Sequence, residues 1–265
     1  MKLCVIIPAA GGSQRFGRED KLSHDLGGRP VLLRTVELFA KREEVVSIIV
    51  AGPPDDLEGF KTRFGAALGF HGASLVEGGR RDRWETVRNA LAHVPEDATH
   101  VAVHDAARPN VTDDLLDRIL AAARVVPAVV PALAMTSTIK RIDPDAIIDA
   151  GEAGDALADS ILGDAGRLSA PAQPVLETVD RRTLRSAQTP QVFERQLLIR
   201  AYDGEQHEGV TDDAEAVERL GETVHVVEGD PGNIKITTKR DLQLLGALMR
   251  IQPKARPAGD PFGLG

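Results

Sequence analysis

The run Leu3-Cys4-Val5-Ile6-Ile7 has no polar alternation, so it predicts a strand buried on both faces, as in a parallel sheet. Similar apolar runs predict strands at Val45–Val50, Ala73–Val76, Thr99–Val103 and Ala128–Leu133. Between them the apolar spacing becomes helical. A helix is expected over Pro30–Phe39, with Pro30 at its favoured first position, and another over Asp55–Leu68, interrupted by glycines. Further helices are expected after Gly78-Gly79 to about His93, over Asp113–Val126 and over Glu194–Tyr202. One more opens at Thr211-Asp212-Asp213-Ala214 with Thr or Asp as its cap, and the last covers Asp241–Ile251. Short strands are expected at Thr138–Ile142, Val224–Val227 and Ile234–Thr237, with a turn over Gly229–Asn233. Strands alternating with helices predict an α/β domain.

The stretch Asp143–Pro174 breaks this pattern. It is rich in Ala, Gly, Asp and Pro and too short for a core of its own, so it reads as an extended arm or insertion, about 136–185. The organisation expected is one domain over 1–251 that includes the arm, followed by a flexible Pro- and Gly-rich tail over 252–265.

Composition narrows the function. Hydrophobic residues make up 42% of the 265-residue chain, enough for a core, while aromatics make up only 3%, too few for a base-stacking surface. The net charge of −8 argues against nucleic acid or an acidic membrane as partner. An anionic substrate must therefore be held by a local basic site. Cys4 is the lone cysteine, which rules out an intramolecular disulfide and a Cys-based metal site. Met1-Lys2 runs straight into the first strand without a signal peptide, and no apolar stretch approaches a membrane span. A soluble cytoplasmic protein is expected.

Candidate chemistry begins where the first strand ends, in Pro8-Ala9-Ala10-Gly11-Gly12-Ser13-Gln14-Arg15-Phe16-Gly17-Arg18-Glu19-Asp20-Lys21. Small residues give a phosphate room to approach the backbone, and Arg15 and Lys21 set positive charge beside it. Gly12 to Gly17 spells G-x-x-x-x-G, but Arg18-Glu19 follows, so the loop is not a P-loop. Nor does it match the dinucleotide fingerprint. Arginines cluster after Gly78-Gly79, where Arg83 and Thr86 either face a nucleotide at a helix start or form a solvated first turn. Asp105 follows a buried strand, at the edge where α/β ligands gather. It reads as a Mg²⁺ ligand or as a capping or turn aspartate, and His104 as a packed or surface histidine rather than a base.

These pieces fall in one order with Val103-His104-Asp105-Ala106-Ala107-Arg108-Pro109, Thr189-Pro190-Gln191, Thr211-Asp212-Asp213-Ala214 and Asn233-Ile234-Lys235-Ile236-Thr237. Together they resemble the 2-C-methyl-D-erythritol 4-phosphate cytidylyltransferase family of the non-mevalonate isoprenoid pathway, from Leu3 to about Leu248. The resemblance implies a Rossmann-like nucleotidyltransferase fold with a mixed, mostly parallel twisted sheet, and a homodimer joined by an extended arm. It implies CTP and 2-C-methyl-D-erythritol 4-phosphate as substrates and Mg²⁺ as cofactor, held by Asp105. In that reading Arg15 and Lys21 stabilise the transition state. Ala9, Ala10, Gly11, Gly12, Gly79, Arg83, Thr86, Asp105 and Ala106 hold the nucleotide. Arg181 and Lys235 position the acceptor, with Arg108, Thr138, Thr189 and Thr211 beside it. Asp20-Lys21-Leu22 stands where the family often has Pro-Lys-Gln, and the segment from Lys140 to Thr178 is longer than the family arm. The rivals are a cytidylyltransferase for another polyol phosphate, such as ribitol 5-phosphate, and a non-catalytic nucleotide-binding regulator.

Overall fold

The computed structural model describes residues 1–11, 16, 20–149, 171–203 and 209–251. The described chain divides into two compact units, one formed by residues up to Leu133 and from Ala187 on, the other by Ala134–Ser186.

The first unit is a twisted sheet covered on both faces. Its strands are β1 (Leu3–Pro8), β2 (Val45–Gly52), β3 (Ala73–Glu77), β4 (His100–Val103) and β5 (Ala128–Ala134). In the second unit lie β6 (Ile139–Ile142), β7 (Ile148–Asp149), β8 (Pro171–Ala172) and β9 (Val175–Val179), and β10 (Arg185–Ala187) carries the chain back. The first unit is completed by β11 (Gln191–Glu194) and β12 (His225–Glu228). The sheet runs β5-β11-β4-β1-β2-β3, with β12 also beside β5. Pairings β1–β2, β1–β4, β2–β3 and β5–β12 are parallel, whereas β11 is antiparallel to both β4 and β5. The apolar runs predict the α/β alternation, and the mixed, mostly parallel sheet is the one the family resemblance implies.

The absence of alternation in β1 has a direct cause. Leu3, Val5 and Ile7 enter the core on one face, with Cys4 and Ile6 on the other. The first face is covered by α1 (Val31–Ala40), α2 (Leu57–Phe70) and α4 (Asp113–Ala123); the second by α3 (Arg83–Leu91), α5 (Arg195–Asp203) and α6 (Asp213–Glu218). The last helix, α7 (Lys239–Ile251), adds Leu245 to the first face.

Several boundaries differ from expectation. Pro30 is the N-cap of α1, not its first residue. Gly59, Gly65 and Gly69 do not interrupt α2, because Phe60, Phe64 and Leu68 recur at four-residue spacing and bury together. A single 3-10 turn, Pro54–Asp56, precedes it. Ile234–Thr237 is not a strand. Ile236 N–H bonds to the Ala107 carbonyl at 2.8 Å, and Thr237 N–H turns instead to the Asp241 carboxylate at 2.9 Å. The expected cap of α6, Thr or Asp, is Asp212, which accepts from Glu215 N at 2.9 Å.

In the second unit β6 pairs antiparallel with β9, and β7 with β8. Residues 150–170 of the expected arm and the expected tail, 252–265, lie outside the described residues.

Phe193 is fully buried where β11 joins the parallel strands. Phe193→Ala should cost roughly 3–5 kcal/mol in a urea unfolding titration. A loss below about 1 kcal/mol would mean the β11 face is not a packed core.

Candidate active site

Register brings four strand ends together. Ile6 pairs with Val103, Pro8 with Ala51, and Gly52 with Glu77, so β1, β4, β2 and β3 all stop at one edge. The chain beyond these ends is tied down by backbone bonds: Ala9 N–H to the Ala51 carbonyl, Gly78 N–H to that of Gly52 and His104 N–H to that of Ile6, at 2.8–2.9 Å. Gly78 must be glycine, because a Cβ there would stand 2.7 Å from Ala10 Cβ and 2.8 Å from the Gly52 carbonyl oxygen. A cavity of about 240 Å³ opens along this edge. Ala9, Ala10 and Gly11 line it from β1; Gly79, Arg83 and Thr86 from the β3–α3 connection; Asp105 and Ala106 from β4; and Lys21 and Lys235 complete it.

Asp105 is the electrostatic centre of the site. Its side chain is 9% exposed and faces three cations. Arg108 Nε donates to Oδ2 at 3.0 Å, Lys235 Nζ lies 3.0 Å from the same oxygen, and Arg83 Nε lies 3.5 Å from Oδ1. Burial alone would raise the carboxyl pKa, but Arg83, Lys235 and Arg108 carry it far below the usual carboxylate range. Asp105 is therefore an anion in the folded protein. It is not the N-cap of α4, a place taken by Thr112.

Thr189 and His104 fix Asp105 from below. The carbonyl of Arg108 can only accept, so His104 Nε2, 3.0 Å away, carries the ring proton. Nδ1 is then an acceptor, and Thr189 Oγ1, at 3.0 Å, donates to it. The same hydroxyl oxygen accepts from Asp105 N–H at 3.0 Å. Thr189, expected beside the acceptor, thus spends its hydroxyl on orienting Asp105. Burial pushes the His104 pKa down to about 4, so the ring is neutral and packed.

Lys235 and Arg108 depend on a latch that sequence reasoning did not assign. Gln188 Nε2 donates to the Asp230 carbonyl at 2.9 Å, and its Oε1 accepts from Asp230 N–H at 3.0 Å. Asn233 Nδ2 donates to the Thr189 carbonyl, and Arg108 Nη1 to the Asn233 carbonyl, both at 2.8 Å. The turn over 229–233 is thereby locked to the segment that leads into β11, two residues before Lys235. Buried polar side chains beside a Pro-Gly turn are the signal for such a latch, but the sequence does not name their partners.

The β3–α3 connection is equally constrained. Thr86 Oγ1 accepts from Gly79 N–H at 3.0 Å, and Glu85 Oε2 accepts from Arg80 and Arg81 N–H, each at 2.9 Å. Thr86 lines the cavity while holding its loop. Arg83 reaches from the first turn of α3 to Asp213 Oδ2, with Nη2 at 2.8 Å. Burial disfavours its charge, but Asp213 and Asp105 overcome this and raise its pKa. The solvated-turn reading of Arg83 is set aside by these two carboxylates.

Other expected residues stand elsewhere. Thr211 Oγ1 donates to Glu215 Oε2 at 2.9 Å and is occupied at the start of α6. Thr138 and Arg181 belong to the second unit, where both are exposed and Arg181 Nη1 donates to the Thr136 carbonyl. Gly12 and Arg15 lie outside the described residues.

The family model for 2-C-methyl-D-erythritol 4-phosphate cytidylyltransferase matches residues 3–160 and 152–251. A protein of that name from Endomicrobium trichonymphae is 35% identical over 251 residues, covering 94% of this chain and 100% of its own. Another, from Streptomyces coelicolor, is 37% identical, covering 94% of this chain and 85% of its own. The crystal structure of the 2-C-methyl-D-erythritol 4-phosphate cytidylyltransferase of Thermus thermophilus superposes with a TM-score of 0.70 at 31% identity, covering 95% of this chain and 100% of that one.

The His104 geometry predicts a pH response. An unfolded histidine binds its proton near 6.5 and this one near 4, so between those values the unfolded chain holds the extra proton. The contribution of His104 to stability is complete above 6.5 and declines as pH falls towards about 4. Nitrogen-15 correlation spectra at pH 6 should show His104 neutral and protonated on Nε2. A ring that titrates near 6.5 would contradict the hydrogen-bond assignment.

Proposed function

The chain belongs to the 2-C-methyl-D-erythritol 4-phosphate cytidylyltransferase family, and we propose that its chemistry takes place in the pocket at the carboxyl ends of β1 and β4. The enzyme transfers the cytidylyl group of CTP to 2-C-methyl-D-erythritol 4-phosphate in isoprenoid precursor biosynthesis, giving 4-diphosphocytidyl-2-C-methyl-D-erythritol and pyrophosphate. The observation that carries the placement is the convergence of Lys21, Arg83 and Lys235 on one cavity around the Asp105 carboxylate.

An oxygen of the acceptor phosphate attacks the α-phosphorus of CTP in line. The bond from that phosphorus to the β-phosphate oxygen breaks, and pyrophosphate leaves. The nucleophile is already an anion, so the reaction needs countercharge and orientation more than a base. His104 is accordingly no base, since its ring nitrogens bond to Thr189 and the Arg108 carbonyl. Lys21, with Arg15, stabilises charge developing around the α-phosphorus. Ala9, Ala10, Gly11, Gly12, Gly79, Thr86 and Ala106 shape the nucleotide side, and Arg83 adds its charge there. Lys235 and Arg108 orient the acceptor phosphate, and Arg181, Thr138, Thr189 and Thr211 are assigned to the same substrate on the family resemblance alone.

Asp105 is the residue that would hold Mg²⁺, together with triphosphate oxygens. The donor set fits, because this ion takes hard oxygen ligands and is held by one or two carboxylates plus phosphates. Among the described residues no cluster of His, Cys, Asp and Glu offers an all-protein cage. When bound, the ion neutralises charge on the departing pyrophosphate.

The enzyme acts as a homodimer. Ile142, Ile147, Val175 and Leu176 in the second unit are 41–62% exposed, apolar surface suited to cover by a second copy. A cytoplasmic setting is supported by the single free cysteine, Cys4. No described helix is long and apolar enough to cross a membrane.

Pyrophosphate release should require CTP, 2-C-methyl-D-erythritol 4-phosphate and Mg²⁺ together. Equal turnover with ribitol 5-phosphate, or turnover that survives chelation, would overturn the acceptor or the metal assignment respectively. Lys21→Ala should lower turnover roughly 10²–10³-fold with an unchanged unfolding midpoint. Lys235→Ala should raise the acceptor KM and leave CTP binding in a calorimetric titration intact; lost CTP affinity would place Lys235 on the nucleotide side. A monomer in sedimentation equilibrium would remove the dimer.

A further inference from the structure

Asp213 is a charged residue that the mechanism above does not use. It is 0% exposed, opens α6 and does not line the cavity. Tyr202, on α5, donates from its hydroxyl to Asp213 Oδ1 at 2.7 Å. Oδ2 faces Arg83 Nη2 at 2.8 Å as an ion pair, and it has no hydrogen-bond partner among the described residues. The start of α6 is itself fixed by Gln191, whose Nε2 donates to Asp212 Oδ2 at 2.8 Å and whose Oε1 accepts from Ala214 N–H at 3.0 Å. Asp213 is thus a rigidly placed carboxylate with one oxygen turned to an arginine of the pocket.

Arg83 is shared unequally between two carboxylates. Its Nη2 is at ion-pair distance from Asp213, while its Nε stands 3.5 Å from Asp105 Oδ1. A guanidinium prefers to engage one carboxylate with two parallel bonds. Without Asp213, Arg83 would be drawn fully onto Asp105, tying up both groups. We propose that Asp213 and Tyr202 are positioning residues for the transferase reaction: they hold the far edge of the Arg83 guanidinium, so that Arg83 stays directed at the nucleotide and Asp105 Oδ1 stays open to ligand. This inference rests on the reading of Arg83 as a nucleotide-binding residue.

The test is a kinetic double-mutant cycle on the full-length enzyme with CTP varied. Asp213→Asn should raise the CTP KM and lower kcat/KM at least about tenfold, as misplacement of a pocket group does. Tyr202→Phe should do the same more weakly. In an Arg83→Met background, both substitutions should change kcat/KM by less than about twofold, because nothing remains to be positioned. Stability should move the other way. Arg83→Met orphans a buried carboxylate and should lower the unfolding midpoint, and adding Asp213→Asn should restore the midpoint without restoring activity.

A purely structural role would lower kcat through loss of active enzyme, leave the CTP KM unchanged, and persist in the Arg83→Met background; that result overturns the proposal. If Asp213→Asn does not fold, Tyr202→Phe alone decides by the same comparison. An Arg83→Met enzyme with undiminished kcat/KM would overturn the role of Arg83 itself. Normal Asp213→Asn kinetics beside an impaired Arg83→Met enzyme would overturn only the positioning role.

Discussion

A buried carboxylate among cations is the constraint around which the site is built. Asp105 cannot be left unpaired, since an isolated charge there would cost several kcal/mol. Two partners come from distant parts of the chain, Arg83 at the start of α3 and Lys235 after the turn over 229–233, while Arg108 comes from the same loop after β4. The ion pairs therefore tie together segments that share no backbone ladder. They also bring more positive than negative charge to one pocket edge, in a chain whose net charge is −8. A triphosphate approaching the protein meets attraction at that edge.

The sheet makes that convergence possible. Parallel strands end on the same side, and the β1–β4 and β1–β2 registers set the loops after β1 and β4 side by side. The antiparallel β11 then runs back beside β4, pairing Gln191 with Val103, which puts Gln188 and Thr189 just under Asp105. An all-parallel sheet would need a crossover helix at this point. The reversed strand β11 instead brings the hydroxyl of Thr189 and the amide of Gln188, just before it, to the floor of the pocket without added bulk.

The sequence discloses these layers unequally. The uninterrupted apolar run of β1 states burial on both faces, and the small residues after it mark a backbone that a ligand can approach. Arg83, Asp105 and Lys235 are recognisable because they sit at strand and helix ends within ordered motifs. Their partners are not. Nothing local to Thr189 says that its hydroxyl bonds both His104 and the Asp105 backbone, 85 and 84 residues away. Asp213 reads as an ordinary residue of a helix start until Arg83 is seen beside it. The alternation Ile234-Lys235-Ile236-Thr237 imitates a strand, but its buried isoleucine is anchored by one backbone bond to Ala107 and the next residue begins the approach to α7. Periodicity reports which face is buried; it does not report which buried polar group meets which.

The pairing pattern also bears on what substrate arrival must do. In the described arrangement the cations already have anionic partners: Arg83 has Asp213 and Asp105, while Arg108 and Lys235 have Asp105. Phosphate oxygens therefore enter a site of preformed ion pairs and compete for cations that carboxylates hold in place. Such preformed charge costs little reorganisation when the reaction moves negative charge from the acceptor phosphate to the leaving pyrophosphate. The two carboxylates act differently in this exchange. Asp105 lines the pocket, where a ligand can reach it and its cationic partners. Asp213 is sealed in the core and cannot follow a ligand. The mobile half of the charge balance thus lies in the pocket and the fixed half behind Arg83, so substrate can draw on the first without disturbing the second.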